Sequence, residues 1–224
     1  MVLLPGLDGT GLLYDPLQQA LSGACDLKVV RYPTQQALDY DGLAPLAREA
    51  FPAQGPWFLL GESFSGPLAI RLAAERPNGL AGLILCATFA SRPVPLPRWL
   101  PQPWAFALAP RVGLRWLMFD AAATAPEVDA FVDALAQVQP AVLATRARAA
   151  LTVDARAELG SLQVPVLFLR PERDRLMGRS TLREVLSAYP SAQVARFEGA
   201  PHLLLQRRPT ESAQAIRAWI AGRA

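Results

Sequence analysis

The sequence predicts an α/β protein: a mostly parallel sheet with helices on both of its faces. Three observations predict this class. Short, continuous apolar runs recur along the chain, helical patterns separate most of them, and 52% of the 224 residues are hydrophobic while only 18% are charged. Continuous apolar runs are typical of strands buried on both faces, and strand–helix alternation is typical of a parallel sheet. A chain of this length can bury one sizeable core.

Six runs have the length of strands. In chain order they are VLLPG, LKVVRYP, WFLLGES, GLILCATFA, VPVLFLRPE and AQVARFEG. The count predicts a sheet of about six parallel strands. Ligands of such sheets bind at the carboxyl ends of the strands, so functional residues are expected directly after these runs.

Helical patterns lie between the runs. Apolar residues spaced three or four apart are Leu17 and Leu21, Leu43 and Ala47, Leu68 and Leu72, Leu182 with Val185 and Leu186, and Ile216 with Trp219 and Ile220. This spacing places them on one face of a helix. The last stretch, PTESAQAIRAWIAG, begins with proline and threonine and ends near a glycine, as helices commonly do.

Residues 91 to 158 break the alternation, because they contain no strand signal. The segment opens with many prolines, continues with tryptophan, phenylalanine, leucine and methionine, and then shows helical stretches such as EVDAFVDALAQV and PAVLATRARAAL. We interpret it as a helical cap inserted at about 91–158 into a single domain that covers residues 1–224.

Composition argues against several classes of partner. The net charge is +3, and the 22 basic residues, all arginine except Lys28, are scattered among carboxylates, so no nucleic-acid partner is expected. The two cysteines, Cys25 and Cys86, fit neither a metal-ligand spacing nor a disulfide framework. No apolar window reaches the roughly 18 residues of a membrane span, and the start shows no secretory leader. We therefore expect a soluble cytoplasmic protein with no membrane span.

The stretch WFLLGESFSGPLAI places a serine, Ser63, where a strand turns into a helix. Such a sharp turn crowds its central residue and needs small neighbours, which here are Gly61 and Ser65 in the pattern G-x-S-x-S, followed by Gly66. The turn would expose the Ser63 hydroxyl as a nucleophile above the strand end. Two alternatives stay open: Ser63 is a helix N-cap, or Ser65 is the nucleophile.

A serine nucleophile needs a base and an orienting carboxylate. His202 is the only histidine, and it follows the last strand-like run in the loop GAPHLLL. Glu172 and Asp174 both follow the run VPVLFLRPE, and Asp174 is preferred because it lies deeper in the loop. The alternatives are a loop histidine without a task and an Asp174 that pairs with a neighbouring arginine.

The loop PGLDGTG follows the first run. Its amides, led by that of Leu7, are candidates for an oxyanion hole together with the amide of Phe64. A phosphate-binding loop is disfavoured, since neither G-x-G-x-x-G nor G-x-x-x-x-G-K-[ST] is present and Asp8 would repel a phosphate. A plain glycine-rich turn is the remaining alternative.

LPGLDGTG, GESFSGPLA, RPERDRLM and GAPHLLLQRRP, in that order, resemble the α/β-hydrolase superfamily. The first two resemble its esterase, lipase and thioesterase branch, which includes plant phytyl-ester-synthase-like acyltransferases. The resemblance implies a catalytic triad of Ser63, Asp174 and His202, oxyanion amides from Leu7 and Phe64, and no metal or organic cofactor.

Three features depart from the pattern of that family. Ser65 replaces a glycine, and Pro-Gly replaces the common His-Gly before the oxyanion loop, which leaves open whether Leu7 or Asp8 supplies the amide. The first strand begins at residue 2, so we expect a shortened sheet without the antiparallel strands that usually open this fold.

These features predict a serine hydrolase that cleaves a carboxylic ester or thioester of an apolar acyl group through an acyl-enzyme. An acyltransferase with the same triad and a non-catalytic binding protein are the alternatives, and peroxidase-type, C–C-bond and lactone chemistries use similar triads. The apolar residues of the segment 91–158 either line an acyl pocket or dock the cap. Four arginines would bind an acyl carrier protein or coenzyme A only if they share a face, namely Arg92, Arg98, Arg111 and Arg115.

Overall fold

A computed structural model describes residues 1–97 and 99–222 of the chain. The described residues form one sheet of six strands in the order β2-β1-β3-β4-β5-β6. The strands are β1 (Val2–Leu4), β2 (Lys28–Val29), β3 (Trp57–Glu62), β4 (Leu80–Cys86), β5 (Val166–Pro171) and β6 (Gln193–Phe197). Each strand overlaps one of the six apolar runs, so the predicted strand count is confirmed.

All five strand pairs are parallel. The first strand lies between the second and the third, with Leu3 opposite both Val29 and Leu60. The chain thus passes from β1 to β2 on one side of it, then crosses to β3 on the other side and continues outward to β6. The direction changes between β1 and β3, and a crevice opens at the carboxyl ends of the strands at such a point.

The helices follow the predicted spacing. They are α1 (Asp15–Leu21), α2 (Tyr40–Arg48), α3 (Gly66–Ala74), α4 (Pro103–Ala107), α5 (Arg111–Met118), α6 (Ala125–Ala136), α7 (Pro140–Ala150), α8 (Arg156–Gly160), α9 (Arg179–Ala188), α10 (Leu204–Arg207) and α11 (Pro209–Ala221). None of the helices in the described ranges is long and apolar enough to cross a bilayer.

Two apolar layers enclose the sheet. Neighbouring strand residues point to opposite faces, so Leu59 belongs to the apolar layer that includes residues of α2, α3 and α9. Leu60 belongs to the layer that includes residues of α1 and α11. Both leucines are fully buried. Cys86, which lies within the apolar run GLILCATFA, is fully buried in the second layer. The predicted placement of helices on both faces is confirmed.

Within residues 91–97 and 99–158, the segment between β4 and β5 contains the helices α4 to α7 and the start of α8, joined by loops, and no strand apart from a bridge between Ser91 and Asp154. A hydrogen bond from the Ala155 amide to the Ala90 carbonyl, at 2.8 Å, also joins the two ends of the segment. Arg98 lies outside the described residues. That this segment is a cap on a single domain stays a prediction.

Five of the six aromatic residues of this segment fall into two sets, and the sixth, Phe106, is partly buried. Phe119 and Phe131 are buried and pack with Leu203, which follows His202 in the chain. The three tryptophans are mostly exposed: Trp99 is 66%, Trp104 63% and Trp116 62% accessible. The phenylalanines therefore dock the segment next to the His202 loop, while the tryptophans remain at the surface.

Candidate active site

Ser63 lies at the turn between β3 and α3, as the sequence predicts. It begins a single 3₁₀ turn, Ser63–Ser65, and its φ angle is +49°. A positive φ is uncommon for a residue with a side chain, and such strained residues cluster at functional sites. Neither the turn nor α3 has a side-chain hydrogen bond at its N-cap, so the Ser63 hydroxyl does not cap a helix.

Close packing explains the small residues of this turn. A Cβ on Gly61 would lie 2.7 Å from Ala69 Cβ, and a Cβ on Gly66 would overlap the side chain of Thr88. The Thr88 hydroxyl in turn donates a hydrogen bond to the Ser63 carbonyl. Thr88, which lies just after the end of β4, therefore holds the turn in place.

Ser65 has a different environment from Ser63. It is fully buried, and its hydroxyl donates to the Pro5 carbonyl. Because this bond uses its only proton, the Tyr32 hydroxyl is the donor in the 2.7 Å contact with Ser65 Oγ. Ser65 thus joins the turn to the loop after β1, and no base faces it among its described hydrogen-bond partners.

His202 lies in the loop after β6 and meets Ser63. Its Nε2 is 2.8 Å from Ser63 Oγ, and its Nδ1 is 2.8 Å from Asp174 Oδ2. A carboxylate oxygen accepts hydrogen bonds, so Nδ1 carries the proton and Nε2 is free to accept one from the serine. The structure therefore brings together three residues that are far apart in the sequence.

Asp174 is held by its own loop. Its Oδ1 accepts hydrogen bonds from the amides of Leu176 and Met177, at 2.9 and 2.8 Å. The other carboxylate of this loop, Glu172, instead lies 3.6 Å from Arg196 at the surface. The geometry distinguishes the two carboxylates in favour of the one that the sequence analysis preferred.

The imidazole of His202 is buried among acidic groups. Burial disfavours its charged form and acts to lower the pKa of His202. The charge and hydrogen bond of Asp174 act in the opposite direction, as does the charge of Glu62, and the net effect raises this pKa above its ordinary value of 6.5. The surroundings thus favour an imidazolium ion, which forms when a base takes a proton.

The loop after β1 lies beside the serine. A Cβ placed on Gly6 would be 3.9 Å from Ser63 Cβ. The Gly9 amide donates to the Gly6 carbonyl at 3.1 Å and closes a turn. Within residues 1–97 and 99–222, the amides of Leu7 and Asp8 have no protein acceptor, so both are available to an oxyanion.

The amide of Phe64 is the other one that the sequence analysis predicted for an oxyanion hole. Phe64 follows Ser63 in the first turn of a helical segment, where amides have no intrahelical acceptor. Tyr40 fixes this residue in two ways, because its hydroxyl donates to the Phe64 carbonyl at 2.8 Å and its ring stacks on the Phe64 ring at 4.7 Å.

The buried charged residues that the sequence analysis missed include Glu62 and Arg146. Glu62, directly before Ser63, accepts a 3.0 Å hydrogen bond from Gln206, and burial raises the pKa of Glu62 to about 7. A glutamate at the end of an apolar strand could have indicated this buried carboxyl from the sequence. Arg146, on α7, is fully buried, but nothing in its sequence context distinguishes it from the other arginines.

Three of the four arginines considered for an acidic partner are engaged within the chain, and the fourth, Arg98, lies outside the described residues. Arg92 donates to the carbonyls of Val94 and Leu96. Arg111 pairs with Asp129, and Arg115 donates to carbonyls in the loop that follows α5. No group of three or more potential metal ligands occurs in the described part of the chain.

A family model described as serine aminopeptidase S33 matches residues 30–208. Polyketide synthase ThaQ of Burkholderia thailandensis is 32% identical over 225 residues, which cover 90% of this chain and 11% of that protein. Phytyl ester synthase 1, chloroplastic, of Arabidopsis thaliana is 30% identical over 81 residues, which cover 34% of this chain and 12% of that protein. The chain thus spans only a small part of the length of these two relatives.

Solved structures show the same fold. A thermophilic esterase from Thermogutta terrifontis has a TM-score of 0.82 and 20% identity, covering 99% of this chain and 89% of that one. A putative aryl esterase from Burkholderia cenocepacia has a TM-score of 0.81 and 19% identity, covering 100% of this chain and 90% of that one. The resemblance stated from the motifs is confirmed. Since the family model covers most of its length, this chain belongs to the serine aminopeptidase S33 family and is an α/β hydrolase with the fold of the carboxylesterase-type enzymes.

Proposed function

We propose that the chain cleaves a carboxylic ester or thioester of an apolar acyl group, with Ser63 as nucleophile, His202 as base and Asp174 as orienting carboxylate. The observation that carries this proposal is the continuous series of hydrogen bonds from Ser63 Oγ to His202 to Asp174, each 2.8 Å long. In a hydrolase of this family, such a series gives a weak hydroxyl nucleophile the base that it needs.

In the first step, Ser63 Oγ attacks the carbonyl carbon and its proton passes to His202 Nε2. The carbonyl oxygen becomes an oxyanion, which the amides of Phe64 and Leu7 stabilise. The buried carboxylate of Asp174 stabilises the imidazolium and holds its ring. The tetrahedral intermediate then collapses, His202 gives its proton to the departing alcohol or thiol, and an acyl-serine ester remains.

In the second step, water attacks the acyl-serine ester and His202 takes the proton of that water. The second tetrahedral intermediate expels Ser63 Oγ, which regains its proton from His202, and a carboxylic acid leaves. An alcohol in place of water would give a new ester. The same groups therefore serve hydrolysis and acyl transfer, and only the acceptor differs.

An apolar surface next to the oxyanion loop supports an apolar acyl group. Leu7, Phe106 and Leu135 are partly exposed, and they pack around the buried residues Val138 and Val142. Leu7 belongs to the oxyanion loop, whereas Phe106 and Leu135 belong to α4 and α6 of the inserted segment. An acyl chain that lies on these side chains would have its carbonyl near Ser63.

A substrate panel tests the reaction class. It contains p-nitrophenyl esters of increasing acyl length and acyl thioesters. It also contains an aminoacyl p-nitroanilide, because the matching family model is described as serine aminopeptidase. We expect turnover of the esters or thioesters, with kcat/KM rising with acyl length. Turnover of the anilide with no turnover of any ester would refute the proposal.

Replacing the nucleophile tests the assignment of Ser63. Ser63→Ala should lower kcat by several orders of magnitude and abolish labelling by a fluorophosphonate probe, because no other hydroxyl among the described residues is paired with His202. Ser212→Ala is the matched control, since the Ser212 hydroxyl is buried on α11 without a described hydrogen-bond partner. Near-normal esterase activity in Ser63→Ala would rule out the mechanism.

Acyl transfer is the second candidate, because the matched plant relative is named an ester synthase. Product analysis with a long-chain alcohol added to the ester assay distinguishes the two reactions. A hydrolase yields mainly free acid, and an acyltransferase yields mainly the new ester. A binding protein that only retains the fold would turn over no ester, and the fluorophosphonate would leave Ser63 unlabelled.

A further inference from the structure

Arg146 is a fully buried arginine on α7, and its guanidinium lies against the candidate oxyanion loop. Nη1 donates to the carbonyl of Leu7 at 3.0 Å and to that of Asp8 at 2.8 Å. Nη2 donates to the carbonyl of Pro33 at 2.8 Å. One planar cation thus joins two chain segments through three backbone carbonyls.

Burying this charge is costly, and the chain offsets the cost only in part. Its described hydrogen bonds go to neutral carbonyls, and its Nε has no described partner. Burial accordingly lowers the pKa of Arg146, although Tyr32 and Asp8 act to raise it. A leucine or methionine would fill such a site without desolvating a charge. The feature that only arginine supplies here is a rigid fork of donors.

The fork determines how the loop peptides are oriented. In a trans peptide the carbonyl and the amide N–H point in opposite directions. Because Arg146 holds the Leu7 carbonyl, the N–H of Asp8, which belongs to the same peptide, points away from the guanidinium. The Asp8 carbonyl is held in the same way, and the N–H of its peptide closes the turn onto Gly6.

Glycine at position 9 makes this contact feasible. Gly9 has a φ of +70°, and a Cβ there would lie 2.6 Å from Arg146 Nη1 and 2.9 Å from the Tyr32 ring. The guanidinium also lies over the Tyr32 ring, 5.5 Å from its centroid. Since the Tyr32 hydroxyl donates to Ser65, the same cluster reaches the nucleophile turn.

We propose that Arg146 is a positioning residue for the oxyanion hole. Its bond to the Leu7 carbonyl orients the Asp8 N–H, and its bond to the Asp8 carbonyl fixes the peptide whose N–H holds the Gly6 carbonyl, which shares a peptide with the Leu7 N–H. Arg146 thereby aligns both candidate amides of the loop with Ser63. The inference rests on the proposed function. Because Arg146 belongs to α7 of the inserted segment, that segment contributes to transition-state stabilisation from a helix that need not touch the substrate.

Arg146→Met tests this role, because methionine fills the site but donates no hydrogen bond. We expect kcat to fall about 100-fold, the scale of one lost oxyanion donor, with KM little changed. Affinity for an alkyl trifluoromethyl ketone, which forms a tetrahedral oxyanion on Ser63, should fall by a similar factor. Arg146→Lys, which keeps the charge but not the fork, should show a smaller fall in both quantities.

Thermal unfolding and a matched variant separate positioning from folding. Arg148→Met makes the same substitution two residues along α7, where Arg148 instead donates to the Pro101 carbonyl, and it should leave kcat and inhibitor affinity unchanged. If Arg146→Met does not fold, Arg146→Lys decides the question. Folded Arg146 variants with normal kcat and normal ketone affinity, while Ser63→Ala is inactive, would overturn the inference alone. An active Ser63→Ala would overturn the proposed function instead.

Discussion

The side chain of Asp174 is enclosed by donors. It is fully buried, and both of its oxygens accept hydrogen bonds, one from His202 and the other from the amides of Leu176 and Met177. The two amides fix the carboxylate plane, so the oxygen that faces the imidazole cannot turn away. At this scale, backbone amides of the Asp174 loop hold the carboxylate that in turn orients the His202 ring.

The pH dependence of activity tests this arrangement. A base must be neutral to accept a proton, so kcat/KM should rise with pH through the pKa of His202, which is raised above 6.5. Asp174→Asn removes the main group that raises this pKa and permits the wrong tautomer. We expect the inflection to move to lower pH and kcat to fall about 10⁴-fold.

The measurement is a pH–rate profile of both proteins on the best p-nitrophenyl ester. Glu172→Gln is the matched control, because Glu172 lies on the same loop but faces Arg196 at the surface. Its profile should match that of the unmodified protein. An inflection that stays in place in Asp174→Asn would mean that this carboxylate does not set the charge state of His202.

At the scale of elements, the serine turn depends on the contact between α3 and the end of β4. Gly66 begins α3 and lies against Thr88, which is fully buried and holds the Ser63 carbonyl. The helix can approach β4 this closely only because Gly66 has no side chain. The position of Ser63 is therefore determined by the packing of two elements and not by the serine alone.

Gly66→Ala should disturb both stability and activity. The new methyl group would overlap Thr88 and lie 2.7 Å from its Cβ, an overpacking that costs about 1–3 kcal/mol. Displacement of Thr88 would also release the Ser63 carbonyl, so kcat should fall. Urea unfolding and ester turnover measure the two effects.

Gly113→Ala is the control for the helix propensity of alanine. A Cβ at Gly113, within α5, would lie 3.4 Å from Pro110 Cγ, which is ordinary contact. This substitution should be neutral or stabilising by up to about 1 kcal/mol. If Gly66→Ala behaved in the same way, the turn would be more tolerant than its packing indicates.

For the molecule as a whole, the fold and the candidate site were predictable where a sequence pattern reports burial or where few residue types can perform the required chemistry. Continuous apolar runs predicted six strands because strands buried on both faces need them. His202 was identified because the chain has one histidine. Arg146 was not identified, because its carbonyl partners lie more than 110 residues away in the chain. The sequence around Arg146 also resembles that of any arginine-containing helix. Aromatic content alone likewise did not show that Trp104 is exposed and Phe119 buried.

The stability of the whole chain should depend on the protonation of Glu62. This residue ends the central strand β3, and burial, reinforced by the charge of Asp8, raises the pKa of Glu62 to about 7 although a hydrogen bond from Gln206 opposes the rise. The unfolded chain releases this proton near the ordinary value of 4.5. Between these values the folded state binds more protons, so the free energy of unfolding should decrease as pH rises from 4.5 to 7.

Glu62→Gln removes this titration and tests its contribution. The two pKa values correspond to about 3 kcal/mol, so the variant should gain up to about that amount relative to the unmodified protein between pH 5 and pH 8. Urea unfolding at both pH values measures the change. Glu49→Gln, at an exposed position, should show no such gain. If Glu62→Gln kept the pH dependence of the unmodified protein, the Glu62 carboxyl would not be held protonated by burial in the folded state.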